Sequence, residues 1–144
     1  MKNPHIYEIL HAVSNAETAE LKLELLKQHN SLALRDVLRA AFDDTIVFTL
    51  PKGLPKFKSA LSNQGIAPAD LRRETHRLTY FVKGGKGDSL TQLKRESLFL
   101  SLLEGIHPED AEVIGLCKEK NFESKFAGIT KDLVKAAWPK LISK

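Results

Sequence analysis

Apolar side chains recur along this chain at intervals of three and four residues, in short blocks that each end at a capping residue, a glycine or a proline. Such a pattern restricts the chain to short amphipathic helices that must pack on one another. Ile6, Ile9, Leu10 and Val13 form the first block, behind Asn3-Pro4, where Asn is expected to cap and Pro to hold the first helical position. Ser14-Asn15-Ala16-Glu17 has the form of a capping box and is expected to open a second helix through Leu21 and Leu25 to about Gln28. Asn30 or Ser31 caps a third helix with an apolar face of Leu34, Val37, Leu38, Ala41 and Phe42.

The β-prone run Thr45-Ile46-Val47-Phe48-Thr49-Leu50 has no obvious strand partner, so it is expected to be a buried extended connector or a helix continuation. Pro51, Gly53 and Pro55 break the chain, and 56–66 is expected to be a short helix or loop with Lys56 and Lys58 exposed. Pro68 is expected to start a helix carrying Leu71, Leu78, Phe81 and Val82, ended by Gly84-Gly85-Lys86-Gly87. Asp88 or Ser89 then caps the longest helix, with Leu90, Leu93, Leu98 and Leu102, which Gly105 stops. His107-Pro108-Glu109-Asp110 opens another, with acids in the first turn where the helix dipole favours them, and Ala111, Ile114 and Cys117 on its apolar face. After a loop at 120–129, Thr130 caps a last helix through Leu133, Val134 and Ala137, and Pro139 ends it after Trp138. The expected fold is all-α: a single compact domain, 1–144, of about seven to eight short helices.

A chain of 144 residues buries enough apolar surface to need no disulfide or structural metal. The lone Cys117 excludes an internal disulfide and a cysteine-based zinc cluster. No secretory leader and no membrane-spanning apolar stretch is visible, so a cytoplasmic location is expected. The net charge of +4 is unevenly spread. Residues 67–100 carry 7 basic and 4 acidic side chains, 101–120 carry 2 and 5, and 121–144 carry 5 and 2. Two basic segments flanking an acidic one favour a polyanionic partner.

Catalytic patterns are absent from the sequence. The five histidines, at 5, 11, 29, 76 and 107, include no i, i+4 pair and no His-Glu-x-x-His, so surface or capping roles are expected. Asp43-Asp44 and Glu109-Asp110 are adjacent on the chain and point apart on a helix, which suits caps and turns rather than a dyad. Two glycine-containing loops carry the strongest local signal. Lys83-Gly84-Gly85-Lys86-Gly87-Asp88-Ser89 joins two helices and lacks the Gly-Lys-Ser/Thr ending of a nucleotide-binding loop. Lys125-Phe126-Ala127-Gly128-Ile129-Thr130-Lys131 leads into the last helix, with Lys135 one turn along. Free N–H groups at helix starts, glycine and lysine together suit phosphate, so the two loops are candidates for holding one duplex at two points.

The same residues resemble a known family: the N-terminal, all-helical DNA-binding domain of ATP-dependent DNA ligases, in the short form found in tailed phages. Ile9-Leu10 with Leu21, Leu25 and Leu26 is similar to that domain's opening, and Leu34 to Arg39 followed by Ile46-Val47-Phe48 to its third helix and exit. Gly85-Lys86-Gly87-Asp88-Ser89 with Lys94 resembles its Gly-x-Gly-Ser loop and the basic helix after it. Gly128-Ile129-Thr130 through Val134, then Ala137-Trp138-Pro139-Lys140-Leu141-Ile142, resembles its closing segment. The match is poor over 52–75. The chain also resembles a family of small tailed-phage proteins of unknown function. The ligase resemblance implies minor-groove-side contact with duplex phosphates through Lys86, Ser89, Gly128, Thr130 and Lys131. Charge and position add Lys83, Lys94, Lys125 and Lys135.

Ligation itself is not expected. The adenylated lysine of ligases lies in Lys-x-Asp-Gly, whereas Lys86-Gly87-Asp88-Ser89 lacks the final glycine, and no nucleotidyltransferase domain follows before Lys144. The expectation is a non-catalytic, sequence-tolerant duplex DNA-binding protein, without cofactor or metal, accessory to phage DNA replication, recombination or repair. The alternative is a protein-interaction module of the same fold, using the acidic stretch 104–112, an exposed Phe57 and the Leu141-Ile142 tail to meet a polymerase, clamp or nuclease. A structural or host-directed phage protein, or an enzyme of unrecognised type, is the third reading.

Overall fold

In the computed structural model, residues 4–53, 55–58 and 66–142 are described. Seven α-helices occur among them: α1 (Ile6–Asn15), α2 (Ala19–Gln28), α3 (Leu32–Phe42), α4 (Leu71–Glu74), α5 (Gln92–Gly105), α6 (Pro108–Glu119) and α7 (Lys131–Ala137). Three 3₁₀ turns supplement them, at Thr75–Tyr80, Lys86–Ser89 and Phe122–Ser124. The fold is all-α, as the apolar periodicity requires. One isolated antiparallel bridge, Phe48 to Val82, is the only β pairing among the described residues.

Helix α6 is the centre of the packing and lies against α1, α3 and α5. Ala111, Val113, Ile114, Gly115 and Cys117 are all buried, so neighbours surround the helix rather than covering one stripe. The segment that looks acidic in sequence is therefore the core helix of the fold. Its carboxylates do not make one patch: Asp110 is buried, Glu112 pairs with Lys125, and Glu119 pairs with Lys118. Around α6 the buried side chains form one continuous core, including Ile6, Leu10, Leu34, Leu38, Leu103 and Phe126. Among the described residues no helix is long and apolar enough to cross a membrane.

Several caps stand where the sequence places them. Ser31 accepts the Leu34 N–H at 3.1 Å, His107 caps α6 with Pro108 in its first turn, and Thr130 accepts the Leu133 N–H at 3.1 Å. Others move. Asn3 lies outside the described residues, and α1 starts after His5, whose N–H donates to Glu8 Oε1 at 2.8 Å, so Pro4 precedes the helix instead of opening it. The box at Ser14 does not open α2. Thr18 does, accepting the Leu21 N–H at 3.1 Å, because Ser14 still belongs to α1 and its hydroxyl donates to the Ala127 carbonyl at 2.8 Å. Asp70, not Pro68, caps α4, which gives way after one turn to the 3₁₀ segment 75–80.

The β-prone run is an extended connector, but not the buried one expected: Thr45 and Val47 are exposed and Ile46, Phe48, Thr49 and Leu50 only half-buried. Asp43 starts it with a turn in which Oδ1 accepts the Thr45 N–H at 2.9 Å and the Thr45 hydroxyl at 2.6 Å. The connector pairs with 81–83: the Thr49 N–H reaches the Phe81 carbonyl at 2.8 Å and the Lys83 N–H reaches the Val47 carbonyl at 2.7 Å. Residues 55–58 are not helical, Lys56 and Lys58 are exposed, and 59–65 lie outside the described residues. Phe57 and Leu141 are half-buried against the core and Ile142 is buried, so the expected exposed apolar contacts at Phe57 and the tail are not there.

Candidate nucleic-acid interface

The glycine-rich loop is fitted to its own chain. A Cβ on Gly87 would lie 1.8 Å from the Tyr80 carbonyl oxygen, and one on Gly85 would lie 2.1 Å from that of Thr79. These glycines let 84–89 lie flush on the 3₁₀ segment. Its N–H groups are largely taken within the fold. Gly84 donates to Asp88 Oδ2 at 2.8 Å, Lys86 to Thr79 Oγ1 at 3.1 Å, and Leu90 to the Gly87 carbonyl at 3.0 Å. Residues 86–89 make a 3₁₀ turn, so neither Asp88 nor Ser89 caps α5. Thr91 does, accepting the Lys94 N–H at 3.1 Å. The expected cradle of free N–H groups at Ser89 is replaced by a self-satisfied turn. The charges remain: Lys83, Lys86 and Lys94 are exposed, as is Ser89, and none of the three lysines has a carboxylate partner among the described residues.

The second loop closes over the joint between α1 and α2. Gly128 has φ of +87°, a left-handed conformation that favours glycine. The place its Cβ would take is filled by Lys22, whose Cε would lie 2.6 Å away and whose Nζ donates to the carbonyls of Ser14 at 3.0 Å and Ala16 at 2.5 Å. Glycine here accommodates a lysine of the chain itself. Helix α7 is only seven residues long. Lys125 is paired with Glu112, Lys131 Nζ stands 3.3 Å from Asp44 Oδ2, and Lys135 is exposed and without a carboxylate partner among the described residues.

The structure relates the two loops through the extended connector, a role that its sequence does not announce. The Lys83 backbone N–H is bonded to the connector at Val47, and the Lys131 ammonium stands beside Asp44. Three residues span at most ~11 Å even when fully extended, so the two loops touch the same short strip of chain. Lys120 joins them, its Nζ donating to the carbonyls of Ala40 at 2.6 Å and Asp43 at 3.1 Å and standing 5.9 Å from the centre of the Phe48 ring. Desolvation holds the Lys120 ammonium below the usual lysine range, while Asp44 and Asp43 oppose that shift. No spacing rule singles out Lys120.

A separate polar cluster lies at the N-terminal ends of α1, α4 and α6. His5 Nδ1 is 3.7 Å from Asp110 Oδ2 and 3.9 Å from Asp70 Oδ1. Asp110 is fully buried, and burial pushes its carboxyl up to about 6 although the Tyr7 N–H bond and His5 pull it down. Asp70 is held by Arg72, with Oδ2 3.0 Å from Nε and 2.7 Å from a terminal nitrogen. Expecting every histidine to be a surface or capping residue missed this group. His5 does cap a helix, but it also faces two carboxylates from distant segments.

What these features define is a small all-α protein with several exposed lysines, and no curated protein matches its sequence. Residues 9–124 match a family of unknown function, DUF6433, and the chain belongs to that family. The matched span includes the connector and the glycine-rich loop. It stops short of the closing loop and α7 and begins after His5.

Proposed function

We propose that the protein is a non-catalytic, sequence-tolerant binder of duplex DNA, contacting the phosphate backbone from the minor-groove side and serving DNA replication, recombination or repair as an accessory. The observation that supports this reading is that two separate loops meet one connector, the first through the Lys83 backbone N–H at Val47 and the second through the Lys131 ammonium at Asp44, with the Lys120 ammonium bonded to Asp43 beside them. Exposed Lys86, Lys94 and Lys135 add positive charge with no carboxylate partner among the described residues. The resemblance of 85–89 and 128–142 to the ligase domain supports the same reading. Lysines rather than a face of Arg, Asn and Gln favour phosphate contact over base reading.

The test is fluorescence anisotropy with labelled duplex, nicked duplex and single strand at two salt concentrations. The expected result is duplex binding that weakens steeply with salt, through release of condensed counterions, and that varies little with sequence. A preference for the nick would tie the protein to repair or ligation. Absence of binding at low salt would overturn the reading and favour a protein-interaction module. One observation favours that alternative: Leu93, 81% exposed, lines an apolar cavity of about 470 Å³ with Leu50, Pro51, Phe99 and Leu100.

A further inference from the structure

The group formed by His5, Asp70 and Asp110 has the chemistry of a cation site. Its three facing atoms, one imidazole nitrogen and two carboxylate oxygens, lie within 4.8 Å of one another. Two of them, His5 Nδ1 and Asp110 Oδ2, are sealed from solvent and have no hydrogen-bond partner. They face each other at 3.7 Å, too far for a direct hydrogen bond. A buried carboxylate oxygen without a partner is costly, and a native fold satisfies nearly all such groups. The other oxygen, Oδ1, accepts the Tyr7 N–H at 3.0 Å, which leaves Oδ2 turned toward the imidazole.

We propose that His5 Nδ1, Asp70 Oδ1 and Asp110 Oδ2 bind one divalent first-row transition-metal cation. A cation about 2.1 Å from both Nδ1 and Oδ2, the usual length for zinc, would see them at an angle of about 120° across their 3.7 Å separation. Asp70 Oδ1, 3.9 Å from Nδ1, supplies the third ligand by moving toward the ion. Two carboxylates and a neutral imidazole carry a charge that a divalent ion balances, and the imidazole favours zinc, copper, iron or nickel over calcium. The ligands are oriented from behind. The His5 ring is stacked on Tyr7, 5.5 Å between centres and 12° between planes, and Arg72 grips Asp70. A cleft of about 510 Å³ beside the group is lined by His5 and Asp70 with Pro68, Arg73 and Glu74, and offers a route from solvent to two of the three ligands. This site is independent of the DNA reading.

The experiment is calorimetric titration of the chelator-treated full chain with zinc and with cobalt, the latter followed also by its visible absorption. Wild type is expected to take up one equivalent, with a rise in melting temperature. His5→Gln and Asp110→Asn are each expected to lose at least about tenfold in affinity. His11→Gln is expected to bind like wild type, since His11 pairs with exposed Glu109 at 3.6 Å and meets the Phe126 and Tyr7 rings, and touches none of the three ligands. Should Asp110→Asn fail to fold, half-exposed His5 still allows the test through His5→Gln. No uptake by wild type at millimolar metal, or equal uptake by His5→Gln, overturns the proposal.

Discussion

Lys131 reaches across 87 positions of sequence to set its Nζ 3.3 Å from Asp44 Oδ2, on a carboxylate that is 80% exposed. An exposed pair of this kind contributes about 0–1 kcal/mol to stability, so it fixes the lysine's position without binding it tightly. A phosphate competes readily for such an ammonium. Asp44→Asn is therefore expected to raise duplex affinity a few-fold in anisotropy titrations and to leave the urea midpoint nearly unchanged. Lys131→Glu is expected to weaken binding to all sequences alike and to lower the salt slope by about one. An affinity indifferent to both changes would remove Lys131 from the interface.

The glycines at the ends of the 84–105 region differ in sign. Gly87→Ala drives a methyl into the Tyr80 carbonyl and is expected to cost about 1–3 kcal/mol, read from denaturant unfolding. Gly105→Ala, whose Cβ would sit 3.7 Å from that of Ala69, is expected to be neutral or stabilising by up to about 1 kcal/mol at the end of α5. A tolerated Gly87→Ala would mean that the loop does not need its close seat on 75–80.

Lys120 ends one helix and caps another. Its backbone, at φ of +58°, closes α6 through bonds from the Lys120 and Asn121 N–H groups to the Cys117 and Leu116 carbonyls. Its ammonium meanwhile serves carbonyls at the end of α3. Lys120→Ala loses the side-chain bonds and keeps the left-handed backbone, whereas Lys120→Gly relieves that backbone. Both are expected to destabilise, with alanine worse than glycine by roughly 1 kcal/mol in thermal unfolding. The reverse order would show that the backbone is unstrained.

Cys117 is fully buried, its Sγ donates to the Val37 carbonyl at 3.4 Å, and burial pushes the thiol up to about 12. The folded chain thus holds this proton more tightly than the unfolded chain, whose thiol loses it near 9. Stability is expected to fall as pH rises from about 9 toward 12, by up to about 1.4 kcal/mol per pH unit from this group, and Cys117→Ala is expected to remove that share. At pH 8 a thiol reagent is expected to label the native protein only as fast as it opens and the urea-unfolded protein at once. Rapid native labelling would contradict the burial.

What the sequence determined by itself is whatever consecutive residues encode. The helical period of Ile6, Ile9, Leu10 and Val13, the caps at Ser31, His107 and Thr130, and the break at Gly105 were legible because a cap acts over two or three residues and an amphipathic face over two turns. The lysines of the two loops were legible as charge. Tertiary structure decided which local signals are used. The box at Ser14 yields because its hydroxyl is taken by Ala127, and Ser89 gives way to Thr91 because Gly85 and Gly87 seat their loop on 79–80. The attachment of Lys83 and Lys131 to one connector, and the meeting of His5, Asp70 and Asp110, have no spacing to announce them. They exist only where packing brings separate segments together, and a one-dimensional pattern holds no distance between residues that far apart.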